Sequence, residues 1–132
     1  MIKKYNIIII LFFLLSFTVN ALSEKNYDKS KFLFQRNIVF NPKDEYSYLY
    51  LAKIYDFEEN EQEKENNINT VLLLNPRNEE AIYILMEIEL KKSNYSKVLE
   101  LTENFSKVCI KLCDNKNIIL ETLKNLEPNN ES

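Results

Sequence analysis

The stretch LLLNPRNEEA, residues 72–81, decides the fold, because IVFNPKDEYS at residues 38–47 repeats its plan 34 residues earlier. Each has an apolar run, an Asn-Pro pair and an acidic restart. Proline has no backbone N–H and pushes the residue before it out of the α region, so each pair ends a helix. Acids just beyond suit the N-terminus of a new one. The chain has only three prolines, and two of them, Pro42 and Pro76, are in phase. Asn26, Asn60 and Asn94 keep the same spacing. NYDKS (26–30) and NYSKV (94–98) lie two periods apart and share Asn, Tyr and Lys. A fixed period of about 20–50 residues is the signature of stacked repeats.

Helical spacing fills the intervals. Tyr48, Leu51, Ala52 and Tyr55 fall at i, i+3, i+4 and i+7, one helix face. Ile82, Leu85, Met86 and Glu89 repeat that face one period later. Asp44 and Asn78 stand where N-caps belong. The spacing predicts six helices, at about 27–40, 44–57, 61–74, 78–91, 95–112 and 116–126. The connections are short, so neighbours are expected to pack antiparallel. The class is all-α.

Composition narrows the chemistry. The 132 residues are enough for one domain. There is no Gly, so no phosphate-cradling loop of the P-loop or dinucleotide type is written here. There is no His, the commonest general base and metal ligand. No catalytic residue and no cofactor is expected.

The start of the chain is a separate object. Lys3 and Lys4 precede an apolar run from Ile7 to Leu15, and Val19-Asn20-Ala21 offers a cleavage pattern. This reads as a secretory signal peptide over 1–21, cut after Ala21, which makes the protein exported, periplasmic or secreted. The alternative is an uncleaved membrane anchor, for which the run is short. The helical domain would then span 22–126, with a polar tail at 127–132. Without Lys3 and Lys4 the chain has 15 basic and 20 acidic residues, net charge −5. That disfavours non-specific nucleic-acid binding and an electrostatic grip on anionic lipid.

The 34-residue helix-turn-helix period resembles the tetratricopeptide repeat over about Asn26 to Phe105. Tyr48, Leu51, Ala52 and Tyr55 match the large–large–small–aromatic sites of that family's first helix. Tyr27 and Tyr95 open its second helix, Phe34 and Ile68 take the large inward site, and Asn41-Pro42 and Asn75-Pro76 match the closing turn. There are departures. The family favours Gly or a small residue in the turn between its helices, where Glu59 and Ser93 stand. Met86 replaces the small residue of the first helix, and Lys64 and Val98 that of the second. The resemblance implies a short right-handed solenoid of stacked antiparallel hairpins with a C-terminal capping helix.

It also implies a concave groove lined by the first helix of each repeat. On this chain that face carries Tyr46, Leu49, Lys53 and Asp56, then Glu80, Tyr83, Glu87 and Leu90. Tyrosines there offer rigid contact area with a polar tip. The expected ligand is a protein or peptide segment with some positive charge. A second interface is expected at helix 27–40, whose Phe32, Leu33, Phe34, Ile38, Val39 and Phe40 exceed what one neighbour covers once a leader is removed. Self-association, or assembly as a structural subunit of an envelope complex, would use it.

Two thiols remain, Cys109 and Cys113. Within a continuous helix their Cβ atoms are too far apart to bridge. A disulfide therefore requires the helix to end near Leu112; otherwise both are reduced core residues. Two thiols without His fall short of a metal site. The acids of DFEENEQEKE (56–65) read as a solvated turn and helix start.

Overall fold

The structure is a computed structural model and describes residues 27–126. The expected leader, its cleavage point and the polar tail lie outside those residues. Both Asn-Pro turns form as the spacing predicts. The N–H of Asp44 donates to the carbonyl of Asn41, and the N–H of Asn78 to that of Asn75, each at 3.1 Å. Pro at the second place and Asn at the first are the residues such a turn favours.

The helices that result are α1 (27–40), α2 (Glu45–Phe57), α3 (Glu61–Leu74), α4 (Glu79–Lys91), α5 (Tyr95–Val108) and α6 (Asn115–Leu126). No strand occurs among the described residues. The chain is all-α. α2 and α3 form one hairpin and α4 and α5 the next; α3 packs on α4, and α6 closes the stack against α4 and α5. Consecutive helices thus stack as a short repeat-like solenoid. The core is one buried cluster built from Leu49, Ala52, Ile68, Val71, Ile82, Met86, Val98, Phe105, Ile119 and their neighbours.

The turns inside the hairpins repeat as closely as those between them. After α2, the N–H of Glu59 bonds Asp56 and that of Asn60 bonds Tyr55. After α4, Ser93 bonds Leu90 and Asn94 bonds Glu89. Both are helix ends of the Schellman type, which need a left-handed residue. Glu59 and Ser93 supply it, at φ 56° and 57°. These are the two positions where the sequence lacks the expected Gly. A side chain there costs about 1–2 kcal/mol, part of which Gly returns as chain entropy. Glu59→Gly and Ser93→Gly are each expected to stabilise the domain by about 0.5–1 kcal/mol, read as a higher urea midpoint. An unchanged or lower midpoint would count against strain at these turns.

Two details differ from expectation. Asp44 occupies the N-cap position of α2, but its carboxylate accepts from the Ser47 hydroxyl (2.6 Å) and from Asn37, not from a backbone N–H. Asn60 and Asn78 do cap, accepting from the N–H of Glu63 and Ala81. The fifth helix stops at Val108 rather than 112: Cys109 turns out at ψ 143°.

α1 is anchored to α2 by aromatic and polar contacts. Tyr27 stacks on Phe57 at 4.2 Å and Phe34 on Tyr50 at 5.0 Å. Lys31 pairs with Glu58 at 2.6 Å. Its other side stays open. Phe32, Leu33, Val39 and Phe40 are exposed, Phe40 to 78%. One and two periods on, Asn67 and Leu101 stand in the place of Leu33, and Val71 and Phe105 in that of Asn37; all four are buried. α3 and α5 each have a preceding hairpin partner; among the described residues α1 has none.

Candidate binding cleft

The expected groove residues lie on α2 and α4, and an ion pair ties the two helices together. Lys53 Nζ stands 2.6 Å from Glu80 Oε1, both side chains being partly exposed. Asp56 turns to α3 and pairs at 2.6 Å with Lys64, whose stem is buried. Lysine covers apolar surface with its methylenes while its ammonium reaches out, so this buried cation sits where the period asks for a small residue. Tyr83 is half-buried. Burial raises its hydroxyl above the usual tyrosine range, and the Glu87 carboxylate, which accepts from it, adds to the effect. Tyr46 is 63% exposed, and Leu90 is half-buried against the core. The face is therefore partly satisfied within the chain. Tyr46 is its freest aromatic.

Tyr46 opens onto a cleft of about 430 Å³ at the start of α4. Leu49, only 5% exposed, belongs both to its floor and to the core. Glu45, Asn75, Asn78, Glu79 and Glu80 line the near side, and Lys111 and Leu112 the far one. The wall they form is the segment that left α5 early. Cys109 and Cys113 are disulfide-bonded, with Cα atoms 5.3 Å apart. Between them the chain aims three backbone N–H groups at one carboxylate. Ile110 and Leu112 donate to Glu79 Oε2 at 2.7 and 3.2 Å, and Lys111 to Oε2 at 3.0 Å and Oε1 at 3.2 Å. Successive N–H groups facing inward form an anion-binding nest. Here the anion is internal.

This clasp explains the early end of α5. In a continued helix, the N–H groups of 110–112 would bond carbonyls one turn back. Hydrogen bonds to a charged acceptor are the stronger, at roughly twice a neutral one. Glu79 is the cleft residue the sequence did not disclose. It lies more than 30 positions from the loop it holds, and no local pattern joins them. Glu45, Asn75, Asn78, Lys111 and Leu112 also line the cleft without having been expected there.

The clasp has a pH signature. Chiefly the Ile110 N–H, with those of Lys111 and Leu112, holds the Glu79 carboxyl below its ordinary value of 4.5. A carboxyl lowered by folding adds stability above its unfolded pKa and loses it as pH falls through the folded one. Parent and Glu79→Gln should therefore differ most in Tm at neutral pH, and the gap should close as pH drops below 4.5. A gap that is constant with pH would show that the charge is not what holds the loop.

Among the described residues, no group of three or more His, Cys, Asp or Glu is placed to hold a metal ion. No helix of that part is long and apolar enough to cross a membrane. A scan against protein-family models finds no match to the chain, and a search of curated proteins finds none.

Proposed function

We propose that the chain is an exported, non-enzymatic adaptor of the tetratricopeptide-repeat type that binds a protein or peptide segment along the face shared by α2 and α4. The cleft beside Tyr46 carries this reading. It offers an exposed aromatic, an apolar floor at Leu49 and a rim of mixed charge. Interfaces draw their binding energy from such aromatic anchors set in pockets. Glu80 is balanced by Lys53, so the rim acid that favours a segment with positive charge is Glu45, which accepts only from the neutral Asn75 amide among the described residues. The 34-residue period and the left-handed residues at 59 and 93 support the family reading. The leader-like residues 1–21 support export. A chain without His or Gly, with no cofactor motif, favours binding over chemistry, and its acidity disfavours nucleic acid.

The outer side of α1 favours a second reading, a structural subunit of an envelope complex assembled through this helix. Phe32, Leu33, Val39 and Phe40 form an apolar patch beside an open hollow of about 450 Å³. Contiguous exposed apolar surface often marks an interface.

One experiment separates the two. The intact protein is immobilised and presented with cell-envelope extract beside two variants whose helical circular dichroism matches the parent. One carries Tyr46→Ala, Tyr83→Ala and Leu90→Ala, the other Phe32→Ser, Val39→Ser and Phe40→Ser. A partner lost only by the first supports the groove. A partner lost only by the second moves the function to α1. A partner retained by both defeats both readings.

A further inference from the structure

We propose that the Cys109–Cys113 disulfide is a redox-modification site for a dithiol reductant, and that its reduction opens the cleft. Its bearing on function rests on the cleft being the binding site; the reduction and the opening do not. Three observations meet here. The bridge is accessible, since Cys113 is exposed and Cys109 half-buried. The three residues it encloses make no helical hydrogen bonds, and their N–H groups are all given to Glu79. Two of the three, Lys111 and Leu112, form the far wall of the cleft.

The loop is thus held at its ends by sulfur and at its middle by one carboxylate. Ile110 adds little packing, being 85% exposed. Leu112 and Cys109 touch the core, which keeps the segment in place but does not fix the aim of its N–H groups. Freeing the ends lets the backbone at 110–112 turn. The clasp on Glu79 then weakens, and the wall moves away from Tyr46 and Leu49.

The chemistry balances as ordinary thiol–disulfide exchange. A thiolate of the dithiol attacks the Sγ of Cys113, the more exposed residue of the bridge. The sulfur–sulfur bond breaks, and Cys109 leaves as a thiolate that takes up a proton. The second thiol of the reductant attacks the mixed disulfide and releases Cys113. Two electrons and two protons pass to the protein, and the dithiol ends as its own disulfide.

The test uses the full chain and dithiothreitol as the dithiol. Alkylation and mass measurement follow reduction of the bridge. Amide exchange is then compared over 110–112 and over the core of α4 and α5, and carbene labelling is read at Leu49. The expected result is bridge reduction with the domain still folded, exchange at 110–112 faster by about tenfold or more, unchanged exchange at Met86 and Phe105, and increased labelling at Leu49. Glu79→Gln, with the bridge intact, should reproduce part of the faster exchange. Any of three results overturns the proposal: a bridge that resists the dithiol in the folded protein, reduction that leaves 110–112 unchanged, or reduction that accelerates exchange throughout, which would make the bridge a structural staple. No partner enters these readouts. A cleft that opens but binds nothing would defeat the functional reading and leave the redox site standing.

Discussion

Phe105→Ala is expected to cost about 3–5 kcal/mol, the range for removing a fully buried aromatic. Phe105 is the largest side chain with no exposure. It shares one cluster with Met86 on α4 and Ile119 on α6, so the cavity opens where three helices meet. The site collapses poorly, because its walls belong to different helices, each held by its own turns. Domains of this size have roughly 5–15 kcal/mol in hand, and a short stack sums only a few repeat and interface terms. At the low end of that range, where a short stack belongs, the loss takes most of the reserve. A urea melt followed by circular dichroism should show the midpoint fall to near zero denaturant, or no cooperative transition. A loss below about 1 kcal/mol would mean that α6 or the segment 109–113 repacks into the space, contrary to the closed core described above.

Helix positions were legible because punctuation and period agree. Asn-Pro marks two ends, Asp44 and Asn78 mark two starts, though only Asn78 caps with its side chain, and the apolar face recurs at i+3 and i+4 between them. Each is local or nearly so. What the sequence hid is tertiary. The stripe Phe105, Val108, Cys109, Leu112 fits a helix well, yet the chain leaves it at Cys109. Glu79, at the start of α4, outcompetes the helical carbonyls for three N–H groups. The two cysteines are bridged, as one of the two open readings allowed, but by a helix that ends four residues sooner than that reading required. The groove was legible as a face and not as a set of free groups. Lys53 and Glu80 neutralise each other across it, Asp56 leaves it for Lys64, and Leu49 sinks to its floor. Pairing between residues 27 positions apart, as for Lys92 just past α4 with Glu65 on α3, has no signature that spacing alone provides.

The second large effect is expected at Met86, where the repeats differ most. Met86 and Ala52 occupy the same place in the period, 34 residues apart, and neither has any exposure. Were the repeats interchangeable, each residue should suit the other's site. The neighbours argue otherwise. Met86 approaches Thr102 of α5, whose hydroxyl stands 3.3 Å from its sulfur, and Thr102 is where the period places Ile68 in α3. A smaller residue on the second helix leaves room for a larger one on the first. Met86→Ala should therefore cost about 2–5 kcal/mol through the cavity it leaves. Ala52→Met should cost about 1–3 kcal/mol by overpacking against Ile68. The informative variant is Met86→Ala combined with Thr102→Ile, which copies the first hairpin's pair into the second. If complementarity of the pair sets the packing, the double variant recovers about 1 kcal/mol or more of the Met86→Ala loss, a coupling typical of residues in contact. Strict additivity in the urea melts would mean that the two hairpins are packed by the whole cluster, and that the departure from a small residue at 86 is not compensated at 102.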